Sequence, residues 1–328
     1  MTTRKRSLLI ALMMLVAMAL AGAVLGCGSS ASDDGPGGGS GEDVALQYIF
    51  KTGDTWVHEL TTVMKGQVEG ATDEDATIDE TTKSRITSSV TSVTDEGVGT
   101  VEVTTEILEM TSNGAAADLT GQEPQKTTMT VDKTGKVLSV EGPDDSEAAS
   151  AFMASGMPFD FTDLSDQFAN LVYPSDGTAK VGEEWESTFT MPLSGMDQEI
   201  TASTKAKLTA VAAEEGRETA TIDYTIAMPM DLTLDLGAML KAMMEGFGGG
   251  DEMSGEELDF VMTMKGDIEV PGTARVDRAT GQLISLDSDG TMTIEMEITE
   301  APEDMVPADE RGPFKMNLTM TMTQVEVR

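Results

Sequence analysis

Long runs in which apolar and polar residues alternate one for one constrain this chain more than any other feature. Trp185, Ser187, Phe189, Met191 and Leu193 share one phase; so do Ile222, Tyr224, Ile226, Met228 and Met230, then Met292, Ile294, Met296 and Ile298, then Met316, Leu318, Met320 and Met322. The intervening positions are mostly Thr, Glu, Asp or Asn. A period of two sends successive side chains to opposite faces of an extended strand. Such runs predict antiparallel strands in large sheets with one apolar and one wet face. The apolar face needs cover, and two stretches with helical spacing are candidates for it. One is the connector 146–155 and 163–172, with Leu164, Phe168, Leu171 and Val172 on one side and Pro174 after them. The other is an insertion around 235–259, where Leu236, Leu240, Met243, Met244 and Phe247 precede Gly248-Gly249-Gly250. The expected class is mainly β (α+β): antiparallel repeats forming large curved one-faced sheets or a half-barrel, with inserted helices covering the apolar face.

The chain is written twice. Gly53-Asp54-Thr55-Trp56 returns as Gly182-Glu183-Glu184-Trp185. Val90 to Gly97, with Asp95-Glu96-Gly97, is answered by Leu208 to Gly216, with Glu214-Glu215-Gly216. Val131-Asp132-Lys133-Thr134-Gly135 is answered by Val276-Asp277-Arg278-Ala279-Thr280-Gly281. Glycine after acidic residues between alternating runs is a hairpin signal, because glycine accepts the positive φ of tight turns. Three matches in one order predict two diverged copies. The expected organisation is 45–142 as repeat 1, 143–177 as a helical connector, and 178–328 as repeat 2 with the insertion around 235–259 and a C-terminal strand.

Ahead of the repeats stands the one cysteine of the chain. Arg4-Lys5-Arg6 leads into an apolar run from Ser7 to Val24, and Leu25-Gly26-Cys27 closes it. A basic segment, an apolar segment and small residues before a cleavage point are the parts of a secretory signal. Val24-Leu25-Gly26-Cys27 resembles the lipobox of bacterial lipoproteins, which implies removal of 1–26 and acylation of Cys27. Residues 27–44 are then a lipidated cysteine and flexible linker, since Gly28 to Asp43 is Gly, Ser, Asp and Glu with one Ala and one Pro and almost nothing to bury. The expected location is outside the cytoplasm, anchored to the outer face of the plasma membrane, or to an outer membrane if the host has one.

Composition narrows partners more than chemistry. The chain carries 58 acidic against 21 basic residues and a formal net charge of −37. Loss of 1–26 would leave 18 basic residues. So negative a domain repels nucleic acid and anionic headgroups, and no nucleic-acid partner is expected. With the single cysteine placed at the anchor, no disulfide remains and the domain relies on its core.

Candidate chemistry is sparse. His58 is the one histidine, two residues after Trp56, and reads as a structural or exposed side chain; no second base or free thiol completes a nucleophilic arrangement. One His and one Cys do not make a zinc site. Asp287-Ser288-Asp289-Gly290 has part of an EF-hand spacing, but Met296 falls where the bidentate Glu belongs, so it reads as a hairpin turn. The acidic run Asp251 to Glu257 reads as a solvated loop. Methionine, at 25 residues against 9 Phe, interchanges with Leu, Ile and Val in the apolar phase, so it reads as core or adaptable lining and not as a copper site. Catalytic, cofactor and metal residues are therefore expected to be none, and the chain is expected not to be an enzyme.

The order Gly-acid-x-Trp, alternating strands, Val-Asp-x-(x)-Thr-Gly, and a connector ending in Tyr173-Pro174 before the second Gly-acid-x-Trp resembles a family of bacterial cell-envelope lipoproteins whose domain has no assigned function. At the level of fold the pattern is also similar to lipoprotein carriers and to mycobacterial lipid-binding lipoproteins, which implies an apolar pocket for acyl chains. Two functions fit. One is a lipid-anchored protein binding a lipid or other hydrophobic ligand in a Met-lined β cavity. The other is an envelope structural or interaction module that binds a protein or polymer through its acidic surface.

Overall fold

The computed structural model describes residues 41, 43–69, 77–121, 123–141, 173–192, 199–214, 216–235, 260–301 and 311–327. Its elements are β1 (Val44–Ala45), β2 (Thr55–Glu69), β3 (Thr77–Val93), β4 (Gly99–Ser112), β5 (Ala115–Ala116), β6 (Gln125–Val131), β7 (Val137–Glu141), β8 (Thr178–Ala179), β9 (Glu184–Pro192), β10 (Glu199–Glu214), β11 (Arg217–Asp235), β12 (Val261–Asp277), β13 (Gln282–Glu300) and β14 (Phe314–Glu326). β1 pairs with β8, and the others form one sheet of order β7-β6-β4-β3-β2-β14-β13-β12-β11-β10-β9, with β5 on the flank of β4. Neighbours in this sheet are antiparallel. The first half of the chain thus forms a meander running outward from β2, and the second half a meander running inward from β9. β14 lies between them, paired with β13 on one side and β2 on the other.

The alternating runs form the strands that their periodicity predicts, and the apolar phase is the buried one. In β11, Ile222, Tyr224, Ile226, Met228, Met230, Leu232 and Leu234 are buried while the residues between Met228 and Asp235 in the other phase are exposed. Met262, Met264, Met292, Met296, Met316, Met320 and Met322 are buried in the adjoining strands. These side chains form one core cluster with Leu60, Met64 and Val68 of β2. A smaller cluster of Val90, Val101, Val131 and Val137, with Phe50 and Trp56 against it, lies in the first meander. The opposite face carries cross-strand ion pairs, among them Arg85 with Glu59, Lys205 with Glu186, Lys207 with Glu184 and Arg275 with Glu214. Exposed pairs of this kind add little stability.

The sheet curls. Tyr48 N–H donates to Lys133 C=O in the β6–β7 turn at 2.7 Å, and the next residue, Ile49, donates to Thr280 C=O in the β12–β13 turn at 2.9 Å. Between β6 and β13 lie five strand spacings, roughly 24 Å along the sheet at about 4.8 Å each. Two adjacent amides span that distance only if the sheet bends back on itself at this end, called here the near end. Glycines on the buried face permit the bend. A Cβ on Gly66 would stand 2.2 Å from Asn317 O, and one on Gly266 2.1 Å from Thr293 O. Side chains at these concave positions would hold neighbouring strands apart.

The matched phrases make matched hydrogen bonds. Gly53 N–H donates to Val90 C=O and Val90 N–H to Asp54 C=O, each at 2.9 Å; Gly182 donates to Leu208 at 2.7 Å and Leu208 to Glu183 at 3.1 Å. Both glycines have φ of 91°. The Gly-acid-x-Trp phrase is therefore a strand-entry device that clips the start of one strand to the end of the next. Asp132 and Asp277 likewise cap their turns in the same way, Oδ1 accepting from Thr134 N–H and from Ala279 N–H at 2.8 Å.

Two expectations are corrected. Among the described residues every regular element is a strand, so the class is all-β, with one large antiparallel sheet, and not α+β with helices over its apolar face. Asp235, where the insertion was expected to begin, is the last residue of β11; the rest of the expected helical stretches, 146–155, 163–172 and 236–259, lies outside the described residues. The apolar face meets other strands of the same curled sheet and the segment 44–50, whose Val44 and Leu46 belong to the main core cluster. Second, Asp287-Ser288-Asp289-Gly290 is no hairpin turn. It lies inside the 19-residue strand β13, with Asp289 accepting from Thr321 Oγ1 at 2.8 Å. An Asp-Gly phrase reads as a turn locally, but here the glycine serves the concave face, its Cβ position 2.9 Å from Val270.

Candidate functional site

The concave face is layered along the strands. Strand register defines cross-strand rows, and toward the far end, where β2 ends and β14 begins, those rows are apolar. They read Met228-Ile268-Met292-Leu318-Gly66, then Met230-Gly266-Ile294-Met316-Val68, then Leu232-Met264-Met296-Phe314. Nearer the closed end the composition changes. One row runs Trp185-Ala206-Tyr224-Gly272-Ser288-Met322-Thr62-Thr82. Beside it on the far side Ser187 is paired with Thr204, and on the near side Gln324 stands between Leu286 and Leu60.

Polar atoms of these side chains are buried and lack partners. Trp185 Nε1, Ser187 Oγ, Thr204 Oγ1, Tyr224 OH, Ser288 Oγ and Gln324 Oε1 make no hydrogen bond among the described residues. Thr204 is 1 % exposed, Tyr224 3 %, and Ser288 and Gln324 5 % each. Tyr224 OH rests where a side chain of Gly272 would be, 2.5 Å from that Cβ position. It faces Ser288, close enough for the serine to favour the ionised phenol, yet outside hydrogen-bond geometry. Burial dominates and pushes the phenol well above its ordinary range. A buried polar atom left unpaired costs roughly 1–3 kcal/mol, so six on one concave belt demand something to bond.

His58 sits deeper, on β2 at the near end. Its Nε2 is 2.8 Å from Leu283 C=O and donates to it, which fixes the neutral tautomer with the proton on Nε2. Burial lowers its pKa, opposed by that hydrogen bond and by the Glu326 carboxylate. Glu326 is itself engaged by Arg217 at 2.8 Å, and Arg217 also lies 3.7 Å from Asp277. The near end thus gathers the buried, hydrogen-bonded His58 and the ion pairs of Arg217 with Glu326 and Asp277. It is closed further by aromatic packing: Tyr48 stacks on Phe50 at 5.3 Å and meets Tyr173 at 5.5 Å, and Tyr173 OH donates to Gly281 C=O at 3.0 Å. In the concave phase Glu326 stands opposite His58, and Glu80 stands beside Met64. Burial raises its pKa and a bond from Ser112 Oγ partly offsets that.

Of the residues singled out by sequence, Cys27 and the acidic run 251–257 lie outside the described residues. The methionines line the far rows. Among the described residues no three metal-ligating side chains converge. The polar belt was not anticipated, although its signal was present: Tyr224, Ser288 and Gln324 are polar residues in the apolar phase of long strands.

No family model matches the chain. Nor does any curated protein. Among solved structures it is similar to the hypothetical lipoprotein YmcC of Escherichia coli, at 10 % identity and a TM-score of 0.21, over 79 % of this chain and 85 % of that one. It is also similar to Salmonella typhi OmpF, in a complex with daunomycin, at 7 % identity and a TM-score of 0.27, over 83 % and 98 %. A mutant porin of Rh. blastica gives 10 % identity and 0.24 over 84 % and 100 %. At such scores these likenesses carry no argument.

Proposed function

We propose that this is a lipid-anchored extracytoplasmic protein, held by Cys27, whose curled sheet binds a lipid or another hydrophobic ligand against its Met-lined concave face, without catalysis or cofactor. The observation that carries this reading is the belt of buried, unpartnered polar atoms set beside uninterrupted apolar rows. A filled core has no use for six orphaned polar groups, and methionine gives a lining that adapts to a flexible chain. The matched turns and strand-entry bonds support 45–142 and 178–328 as two diverged copies joined in one sheet. Native mass spectrometry of protein purified from membranes tests the proposal. It should reveal a co-purifying acyl lipid released by organic extraction; a lipid-free protein with a solid interior overturns it.

The acidic outer face supports a second reading, an envelope module that docks a basic protein or polymer. The chain carries a net charge of −37, and on the described convex face Lys205, Lys207 and Lys265 are already paired with carboxylates. Partner capture that is lost above roughly 0.5 M salt, with no lipid bound, would favour it.

A further inference from the structure

We infer that residues 44–50 and 173–179 form a releasable clasp. Docked, it holds the near end of the curled sheet shut; released, it lets the two halves part there while β14 keeps the sheet whole. The two segments are equivalent parts of the repeat. Each leads into the same phrase, Lys51-Thr52-Gly53-Asp54-Thr55-Trp56 and Lys180-Val181-Gly182-Glu183-Glu184-Trp185. They also meet each other as β1 on β8, with Val44 opposite Ala179 and Ala45 opposite Thr178. Leu46 N–H extends the pairing to Gly177 C=O at 2.8 Å, and the rings of Tyr48 and Tyr173 touch. From there the first segment crosses to the turns of both copies, through the bonds of Tyr48 to Lys133 and of Ile49 to Thr280.

Its attachments suit it to release. β1 and β8 stand apart from the large sheet, and Lys133 and Thr280 offer their carbonyls from turns. Undocking therefore breaks none of the rungs that join β7 through to β9. Val44, Leu46 and Tyr48 pack on the main core cluster, whereas Phe50 packs on the smaller one, over Gly99, whose Cβ position is 2.7 Å from the ring. The segment is thus a bridge between two separate clusters, and its withdrawal uncouples them. The seat is shaped for it by glycines: a Cβ at Gly281 would collide with Gln47 O, and one at Gly177 with the Gln47 side chain. A segment held by a few bonds outside the main ladder opens locally before the whole fold does. Once it has left, the turns it held are free to move toward the roughly 24 Å that five spacings of about 4.8 Å give in a flat sheet.

The test uses the full chain carrying Cys27→Ser, so that introduced cysteines are the only ones. Spin labels at the exposed Lys133 and Ala279, one on each turn, read the near-end distance by pulsed dipolar spectroscopy. Leu46→Asp puts a charge at a site 1 % exposed. It should undock the clasp and lengthen that distance by about 10 Å or more, while amides of β2, β13 and β14 keep their hydrogen-exchange protection. An unchanged distance overturns the inference. So does a lengthening that comes with lost protection in β2, β13 and β14, because the clasp is then one part of a single cooperative core. A second arm leaves the buried residues untouched and joins Ala45→Cys to Thr178→Cys, cross-strand partners suited to a disulfide. In the oxidised protein the amides of 44–50, 131–137 and 276–283 should slow together, exchanging about tenfold more slowly than in the reduced protein. Equal rates, or slowing confined to 44–50, overturn release as a motion of the native state.

Discussion

His58 shows what a single buried group does to a whole domain. Its pKa is lowered in the fold, by burial first. Above the ordinary imidazole range both folded and unfolded states hold it neutral, and it contributes no pH dependence. As pH falls below about 6.5 the unfolded chain takes up the proton first, so stability declines until the folded-state pKa is passed. Glu80 acts in the opposite sense: its pKa is raised, so between about 4.5 and its folded value the native state binds more protons and gains stability as pH falls. Urea midpoints from pH 7.5 to 5 should therefore fall less steeply for His58→Gln than for the parent, and a parallel pair of curves would refute the assignment. Gly266 makes a steric counterpart. Gly266→Ala sets a methyl against Thr293 O and Ile294 Cα, and should destabilise by about 1–3 kcal/mol, as overpacking does. Calorimetry reads it directly, and an unchanged melting temperature would show that the concave bend is not glycine-dependent.

At the scale of elements, the strand-entry turns and the segment after β1 do different work. Gly53 and Gly182 hold the same φ and make the same bonds. Gly53→Ala and Gly182→Ala should each cost about 1–2 kcal/mol in chemical denaturation, and a large inequality would break the parallel between the two halves. Tyr173→Phe removes the bond to Gly281 C=O and should cost roughly 0.5–1.5 kcal/mol. Strands and turns were legible because period two and Asx-Gly turns are local signals: the buried phase of β11 to β14 follows residue by residue from Ile222, Met292 and Met316. The segment 44–50 was not legible. Leu46, Tyr48 and Phe50 are apolar at alternate positions, yet they join no long strand, and their role appears only when two distant turns are brought together. Ser288 and Gly290 misled for a related reason, since a glycine needed for curvature looks locally like a turn. The polar belt is a property of register across several strands, which no one strand's pattern contains.

Over the whole molecule, β14 makes one sheet out of two meanders. Because it is paired on both sides, the halves should unfold together. Single-tryptophan chains, Trp56→Phe and Trp185→Phe, report on opposite halves and should give coincident urea transitions; separated midpoints would mean two independent units. The same strand sets a schedule for folding. β14 is synthesised after every other strand of the sheet, so β2 and β13 each emerge as long edges with an apolar face and no neighbour on one side. Two such edges invite pairing with another chain. A protein built this way is at its most vulnerable just before completion, and its acidic outer face then acts as protection: partially folded copies, each strongly negative, repel one another until the final strand arrives.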